Sequence, residues 1–530
     1  MNKQIILLGF ILLSQWHLGN AQDKKGKLSG SFETINQIYK KDNKTKAIVP
    51  DDKFGSNSYL KLDYHIGKLT MGLQYEAYLP RLVGYDIRHK DQKIAGRYLK
   101  YQDETLEITV GNFYEQFGSG LIFRSYENRE LGINNAIEGV GVRFYPTDYL
   151  NLKAIYGKQR EFFEVSDGTL RGLDGTFDLA QYFGLTNSHF NLGGSWLSKY
   201  ETYTGAQEDF PSQVNAYSAR LDFGIKNWSL NAEFVQKKDD RRVEYPTRDI
   251  TGNALLINSS YAQSGLGMNF TFRALKDMSF YNERTASGLN LLVNYLPAIT
   301  KQHKYSLLNI YTYITQADGE MGAQFDLYKK FKKGSLLGGK YGTKLEINFS
   351  AYNDLDLKNI ETEESDFLKL GDSKLYRDFN INLSKKFSKR LKTKLAYAHI
   401  DYNKGKLQGG DSPIVKSDFL ASEIEFKIKP KHVLRAELQH LWTKQDKKNW
   451  IAGLLEYSIA PGFSMFVSNQ YNYGDKDKIH YYSGGFGWAK DSKNLQVAYG
   501  RNREGLNCSG GVCRFVPAYT GLNISFSTSF

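Results

Sequence analysis

LKLDYHIGKLTMGLQYEA, residues Leu60–Ala77, decides the fold. Leu60, Leu62, Tyr64 and Ile66 alternate with Lys61, Asp63 and His65; after Gly67-Lys68, Leu69, Met71, Leu73, Tyr75 and Ala77 alternate with Thr70, Gly72, Gln74 and Glu76. Period-two alternation marks extended chain, because successive side chains of a strand point to opposite faces. Two residues that include a Gly then join the runs into a hairpin with one apolar and one polar face. The pattern recurs in Tyr217–Ile225 and Trp228–Phe234, and again around Leu106–Val110, Phe463–Val467 and Leu495–Tyr499.

Alternation alone fits a soluble sandwich as well as a membrane barrel, and four observations favour the barrel. The strand segments run to the end of the chain without a helical interlude. Many are about 9 to 13 residues long, near the roughly 9 to 11 that a tilted membrane strand needs. Aromatic residues, 37 Tyr and 32 Phe in all, gather near strand ends as interfacial girdles do. Finally, the chain closes on an amphipathic strand containing Tyr519, Gly521, Ile524, Phe526 and the terminal Phe530, which resembles the signal by which outer-membrane barrels are recognised for insertion. The aromatic content argues against disorder, and after residue 22 no apolar run reaches the length of a membrane helix.

The N-terminus points to export. Asn2 and Lys3 precede the apolar run Ile5–Leu13, and Gly19-Asn20-Ala21 supplies small residues at a cleavage position, so residues 1–21 read as a signal peptide. The run is too short for a membrane anchor, and no Cys near the cleavage point suggests a lipid attachment. Lys and Arg number 70 against 57 Asp and Glu. In an exported protein this balance suits lipid or lipopolysaccharide phosphates rather than nucleic acid.

Strands crossing lipid must leave no edge unpaired. The expected fold is therefore all-β: residues 22–530 form a single large antiparallel transmembrane β-barrel of about 26 strands, within a range of 22 to 26. Short periplasmic turns are expected at Gly67-Lys68, Gln102-Asp103, 146–148, Lys226-Asn227, 429–431, 460–462 and 491–493. Long outer loops are expected at 41–56, 80–92, 113–135, 159–172, 199–212, 238–253 and 354–371. A barrel so wide needs water, inserted loops or a partner in its lumen. Residues 113–135 (FYEQFGSGLIFRSYENRELGINN) are the candidate insert, with Glu115, Arg124, Glu127, Arg129 and Glu130 setting a charged constriction. The other reading is an outer loop laced by surface ion pairs.

Cys508 and Cys513, the two cysteines, are expected to form a local disulfide in an oxidising compartment; two thiolates with no nearby His make a poor zinc site. Gly334–Lys340 fits the start of a P-loop, but Tyr341 stands where magnesium-binding Ser or Thr belongs, so it reads as a periplasmic turn. No H-E-x-x-H or G-x-S-x-G occurs, and no nucleophile and base stand together. The expectation is a protein with no catalytic residues, cofactor or metal.

FRSYENRELGINNAIEGV (Phe123–Val140), KKGSLLGGKYGTK (Lys332–Lys344) and NCSGGVCRFVPAYTGL (Asn507–Leu522) resemble an outer-membrane barrel family of the Bacteroidota with no established activity. The resemblance spans nearly the whole mature chain. It implies the outer membrane and a barrel, and it transfers no site residue. The functional expectation is a porin-like or gated solute channel, with charged lumen-facing alternates such as Arg220, Asp222 and Glu233. The alternative is a non-conducting scaffold in an outer-membrane secretion or assembly complex. Outer-membrane lipid, lipopolysaccharide and the barrel-assembly machinery are the expected partners.

Overall fold

The computed structural model describes residues 26–530 apart from 46, 48, 203–209, 242–249 and 360–363. The expected signal peptide, residues 1–21, lies outside them. Among the described residues, 24 strands form one sheet. Each strand pairs antiparallel with its neighbours along the chain, beginning with Lys27–Lys40 against Phe54–Ile66. The sheet closes on itself where Lys27–Lys40 also pairs with the last strand, Tyr519–Ser529, in the register Thr34↔Phe526 and Ile38↔Leu522. The protein is thus an all-β closed barrel.

The opening hairpin shows how the sequence fixes the wall. Ile66 faces Leu69 across Gly67-Lys68, and Leu60, Leu62 and Tyr64 align with Tyr75, Leu73 and Met71. Leu73, Leu99, Val110, Val140, Leu152, Leu173, Leu192 and Phe234 all lie exposed on the outer face. The belt continues through Phe270, Phe325, Phe349, Phe379, Leu395, Leu420, Leu455 and Phe486. An apolar girdle around a whole circumference exceeds anything a soluble surface carries, and it suits contact with lipid tails.

All the short turns anticipated above lie at one end of the barrel, which also holds both ends of the described chain. There the Gly30 N–H donates to the Phe530 carbonyl at 2.9 Å. The P-loop-like stretch makes a further turn at that end, residues 332–342, between the strands Gly319–Phe331 and Thr343–Asn359.

The count of 24 lies inside the expected range of 22 to 26 and two below the expected number of about 26. The stretch 277–318, long enough for another hairpin, leaves the wall after Leu266–Lys276 and rejoins it at Gly319–Phe331. Two expected loops are strand instead. Leu150–Glu161 and Glu164–Asp178 meet at Phe162-Phe163, with pairing carried from Lys158↔Thr169 through a register shift to Glu161↔Glu164. Thr343–Asn359 and Glu364–Lys386 likewise extend through most of 354–371. Neither stretch alternates apolar and polar residues regularly in sequence, yet main-chain pairing does not need alternation.

Closure is tight at the seam. A Cβ on Gly521 would fall 2.1 Å from the Ile38 carbonyl oxygen, and relief requires the strands to part. Gly521→Ala is expected to destabilise the folded barrel by about 1–3 kcal/mol, read as a lowered midpoint of urea unfolding in detergent followed by tryptophan fluorescence.

Candidate functional site

The lumen is occupied by the chain itself. Residues 114–136, between Leu106–Phe113 and Ile137–Thr147, and residues 277–318 turn back from the long-loop end and pack on the inner wall. Phe117, Leu121, Ile122 and Phe123 of the first insert and Met278, Phe280 and Val293 of the second join wall residues Ile155, Leu170, Leu197, Val214, Val235 and Leu275 in one apolar cluster. A second cluster sets Tyr305, Leu307, Leu308, Tyr311 and Tyr313 against Tyr352, Tyr376, Ile400, Tyr402, Phe419 and Trp450. At these two clusters the inner wall is apolar, which strict alternation of apolar and polar faces does not foretell.

The inserts are bonded to each other. The Arg124 N–H donates to the Val293 carbonyl and the Tyr295 N–H to the Gly120 carbonyl, both at 2.9 Å. Cys508 and Cys513 form a disulfide, which removes them as metal ligands and closes the hairpin of Gly505–Ser509 and Val512–Val516. That hairpin lies over the second insert: the Ala298 N–H donates to the Gly511 carbonyl at 2.8 Å and the Tyr295 hydroxyl to the Gly510 carbonyl at 2.7 Å.

The charged residues of 113–135 do not form one ring. Glu115 is buried and accepts from Arg143 Nε at 2.7 Å and Lys153 Nζ at 3.2 Å on the wall. Burial alone would raise its carboxyl, but these two cations hold it below the usual carboxylate range. Glu127 and Arg129 pair at 3.0 Å, and Arg129 also reaches Glu33 of the first strand at 2.7 Å. Arg124 instead lies over the rings of Tyr295 and Tyr126, 4.0 and 4.9 Å from their centroids. Glu130 is exposed, and its carbonyl accepts from Arg514 at 2.8 Å. Of the wall residues, Glu233 accepts from the Ser119 N–H at 2.8 Å, Arg220 meets Asp174 at 2.6 Å, and Asp222 meets His189 at 3.1 Å. Gly118 is required here: its φ is +52°, and a Cβ would sit 2.5 Å from Arg220 and 2.7 Å from Glu233.

The contacts of the first insert differ sharply between its two sides. Toward strands from Glu164–Asp178 to Leu266–Lys276 it is held mainly by the apolar cluster. Toward the first seven strands only Phe113, Ile137 and Ile155 belong to that cluster, and polar groups do most of the holding: Glu115 to Arg143 and Lys153, Glu127 to Gln74, Arg129 to Glu33, and Asn134 to Glu76. One side is an apolar anchor and the other a polar latch.

Sequence reading missed the second insert and its anchor. Arg273, itself buried, bonds Glu320 at 2.6 Å, Thr315 at 3.0 Å and the Pro297 carbonyl, while the Tyr313 hydroxyl donates to Glu320 at 2.6 Å. The available signal was an aromatic-rich stretch without alternation between two clean strands. The C-terminal residues lie along the seam: Tyr519 meets Tyr39 edge-on at 6.1 Å, Ile524 and Phe526 align with Asn36 and Thr34, and Phe530 is exposed.

The whole chain, residues 1–530, matches the family described as "Family of unknown function (DUF6029)". It belongs to that family. No curated protein matches the sequence. Among solved structures, the chain is similar to the P pilus usher (PapC) translocation pore, at 10% identity and a TM-score of 0.45 over 95% of this chain and 99% of that one. It is also similar to the siderophore receptor PirA from Pseudomonas aeruginosa, at 8% identity and a TM-score of 0.42 over 96% and 81%. The BenF-like porin from Pseudomonas fluorescens Pf-5 follows at 10% identity and a TM-score of 0.36 over 97% and 100%. What the barrel does has to be read from its own lumen.

Two outcomes test this arrangement. Glu320→Ala leaves the Arg273 charge buried without its carboxylate and is expected to cost about 3–5 kcal/mol in urea unfolding. His89, in the loop 79–90, packs on Tyr78 and Phe162 at 4.8 and 4.7 Å and donates to the Gly132 carbonyl at 3.2 Å. Burial pushes its pKa down to about 4, so the unfolded loop binds the proton first. The stability His89 contributes is full above about pH 6.5 and declines as pH falls toward 4. Hydrogen exchange at residues 79–90 and 129–135 should accelerate across that window, and His89→Gln should flatten the response.

Proposed function

We propose that this protein is a gated outer-membrane channel for solutes, in its closed state. The observation that carries the reading is the two-sided seating of residues 114–136, anchored by apolar contacts on one side and latched by ions and amides on the other. Pulling out the apolar side would expose Phe117, Leu121, Ile122 and Phe123, each worth roughly 1.5–3 kcal/mol when buried. Releasing the polar side exchanges protein partners for water at far lower net cost. The gate therefore opens locally, along the first seven strands. Export directed by residues 1–21, insertion by the barrel-assembly machinery at the strand ending in Phe530, and contact of the basic outer surface with lipopolysaccharide complete the proposal.

A second reading, a non-conducting scaffold in a secretion or assembly complex, is favoured by the second insert. Its Leu307, Leu308, Tyr311 and Tyr313 are buried against the wall, an attachment that does not release locally. Single-channel recording in planar bilayers separates the two. The intact chain is expected to show small, intermittent openings. Arg129→Gln should raise the open fraction, and removal of residues 115–133 should give large steady currents. Silence from every variant, with folding verified by heat-modifiable gel mobility, would favour the scaffold.

A further inference from the structure

Below the latch lies a cavity of about 230 Å³, covered by Tyr114, Glu115 and Asn134 of the first insert and walled by the second to seventh strands. At roughly 30 Å³ per water, it has room for a small polyatomic ion. Its charged lining is unbalanced: Lys61, Lys100, Arg143 and Arg160 face Glu107 and Glu115. Asp63 and Glu76, which pair with Lys61 and Arg160, are not part of the lining.

Exposure sharpens the asymmetry. The side chains of Lys61, Lys100 and Arg143 are 42%, 29% and 34% exposed, against 19%, 14% and 8% for their partners Asp63, Glu107 and Glu115. In each pair the cation is the more exposed partner. A cleft lined this way between low-dielectric walls concentrates positive potential.

We propose that this cavity is a binding site for small multivalent anions bearing phosphate or carboxylate groups, and that Glu115 is the chain's own occupant of Arg143, displaced when such an anion binds. The inference deepens the gated-channel reading and rests on it for its consequence in transport. Arg143 offers a planar fork suited to two oxygens of one anion, yet Glu115 takes its Nε at 2.7 Å and Glu107 lies 3.8 Å from its Nη1. A ligand shifts a conformational equilibrium only by preferring one state, and an anion that competes with Glu115 prefers the unlatched one. Tethering gives the Glu115 carboxylate a high effective concentration, so chloride does not displace it. An anion that reaches Lys61 and Lys100 as well as Arg143 does. Displacement frees residues 114–116 while Phe117 and Phe123 stay anchored.

The test is calorimetric titration of the full-length protein in detergent with pyrophosphate and with citrate, using glucose and spermidine as controls. Both anions are expected to bind and the controls not. Glu115→Gln removes the competitor and should tighten binding about tenfold, while Lys61→Gln and Lys100→Gln, at half-buried positions, should each weaken it about tenfold. Arg143→Gln should weaken it further. Absence of binding to both the native chain and Glu115→Gln overturns the proposal, as does binding to which Glu115→Gln makes no difference. Anion binding to a barrel that never conducts upholds this site and removes the channel reading. Conductance without anion binding does the reverse.

Discussion

Lipid offers no partner to a backbone N–H or carbonyl, and everything else in this protein follows from meeting that demand. The only sheet that leaves no edge is a closed one, so the first and last strands must find each other across almost the whole chain. Lys27–Lys40 and Tyr519–Ser529 do so in continuous register, with Gly521 letting the backbones approach. Outward side chains are then free to be apolar, and they are.

Closure at this width creates a second problem, because inward side chains cannot meet across the middle. The chain solves it by lending parts of its own loops to the interior. Where an insert touches the wall, the wall's inward face turns apolar, as at Val214, Val235 and Ile400. Where it meets the wall through ions, the partners are held by single side chains such as Glu115 and Arg129. Stability and the capacity for local opening therefore occupy different sectors of the same circumference.

Much of the wall was legible in the sequence because alternation is a local property. The pairing of Leu60 with Tyr75, or of Phe223 with Leu230, needs only a strand, a turn and a face to bury. The strand extensions through 159–172 and 354–371 were not legible, since pairing there is carried by main chain under an irregular sequence. The interior was half legible. Charges set among glycines marked 113–135, but nothing near Glu115 names Arg143 or Lys153 as its partners, which are ordinary inward alternates of other strands. The stretch 277–318 carries no repeating pattern, because its neighbours belong to strands distant along the chain, and only the closed barrel brings Tyr313 to Tyr352 and Tyr376.

The three segments that enter or cover the lumen leave the wall after its fifth, thirteenth and twenty-third strands, so eight, ten and six strands separate them around the ring. A hoop held only by its rim flattens easily. One held by spokes from three well-spread points, each bonded to the next through Val293, Tyr295 and Gly511, keeps its roundness. The bracing also bounds what an opening can be, since a spoke that is fixed to the rim at both ends bends aside but does not leave.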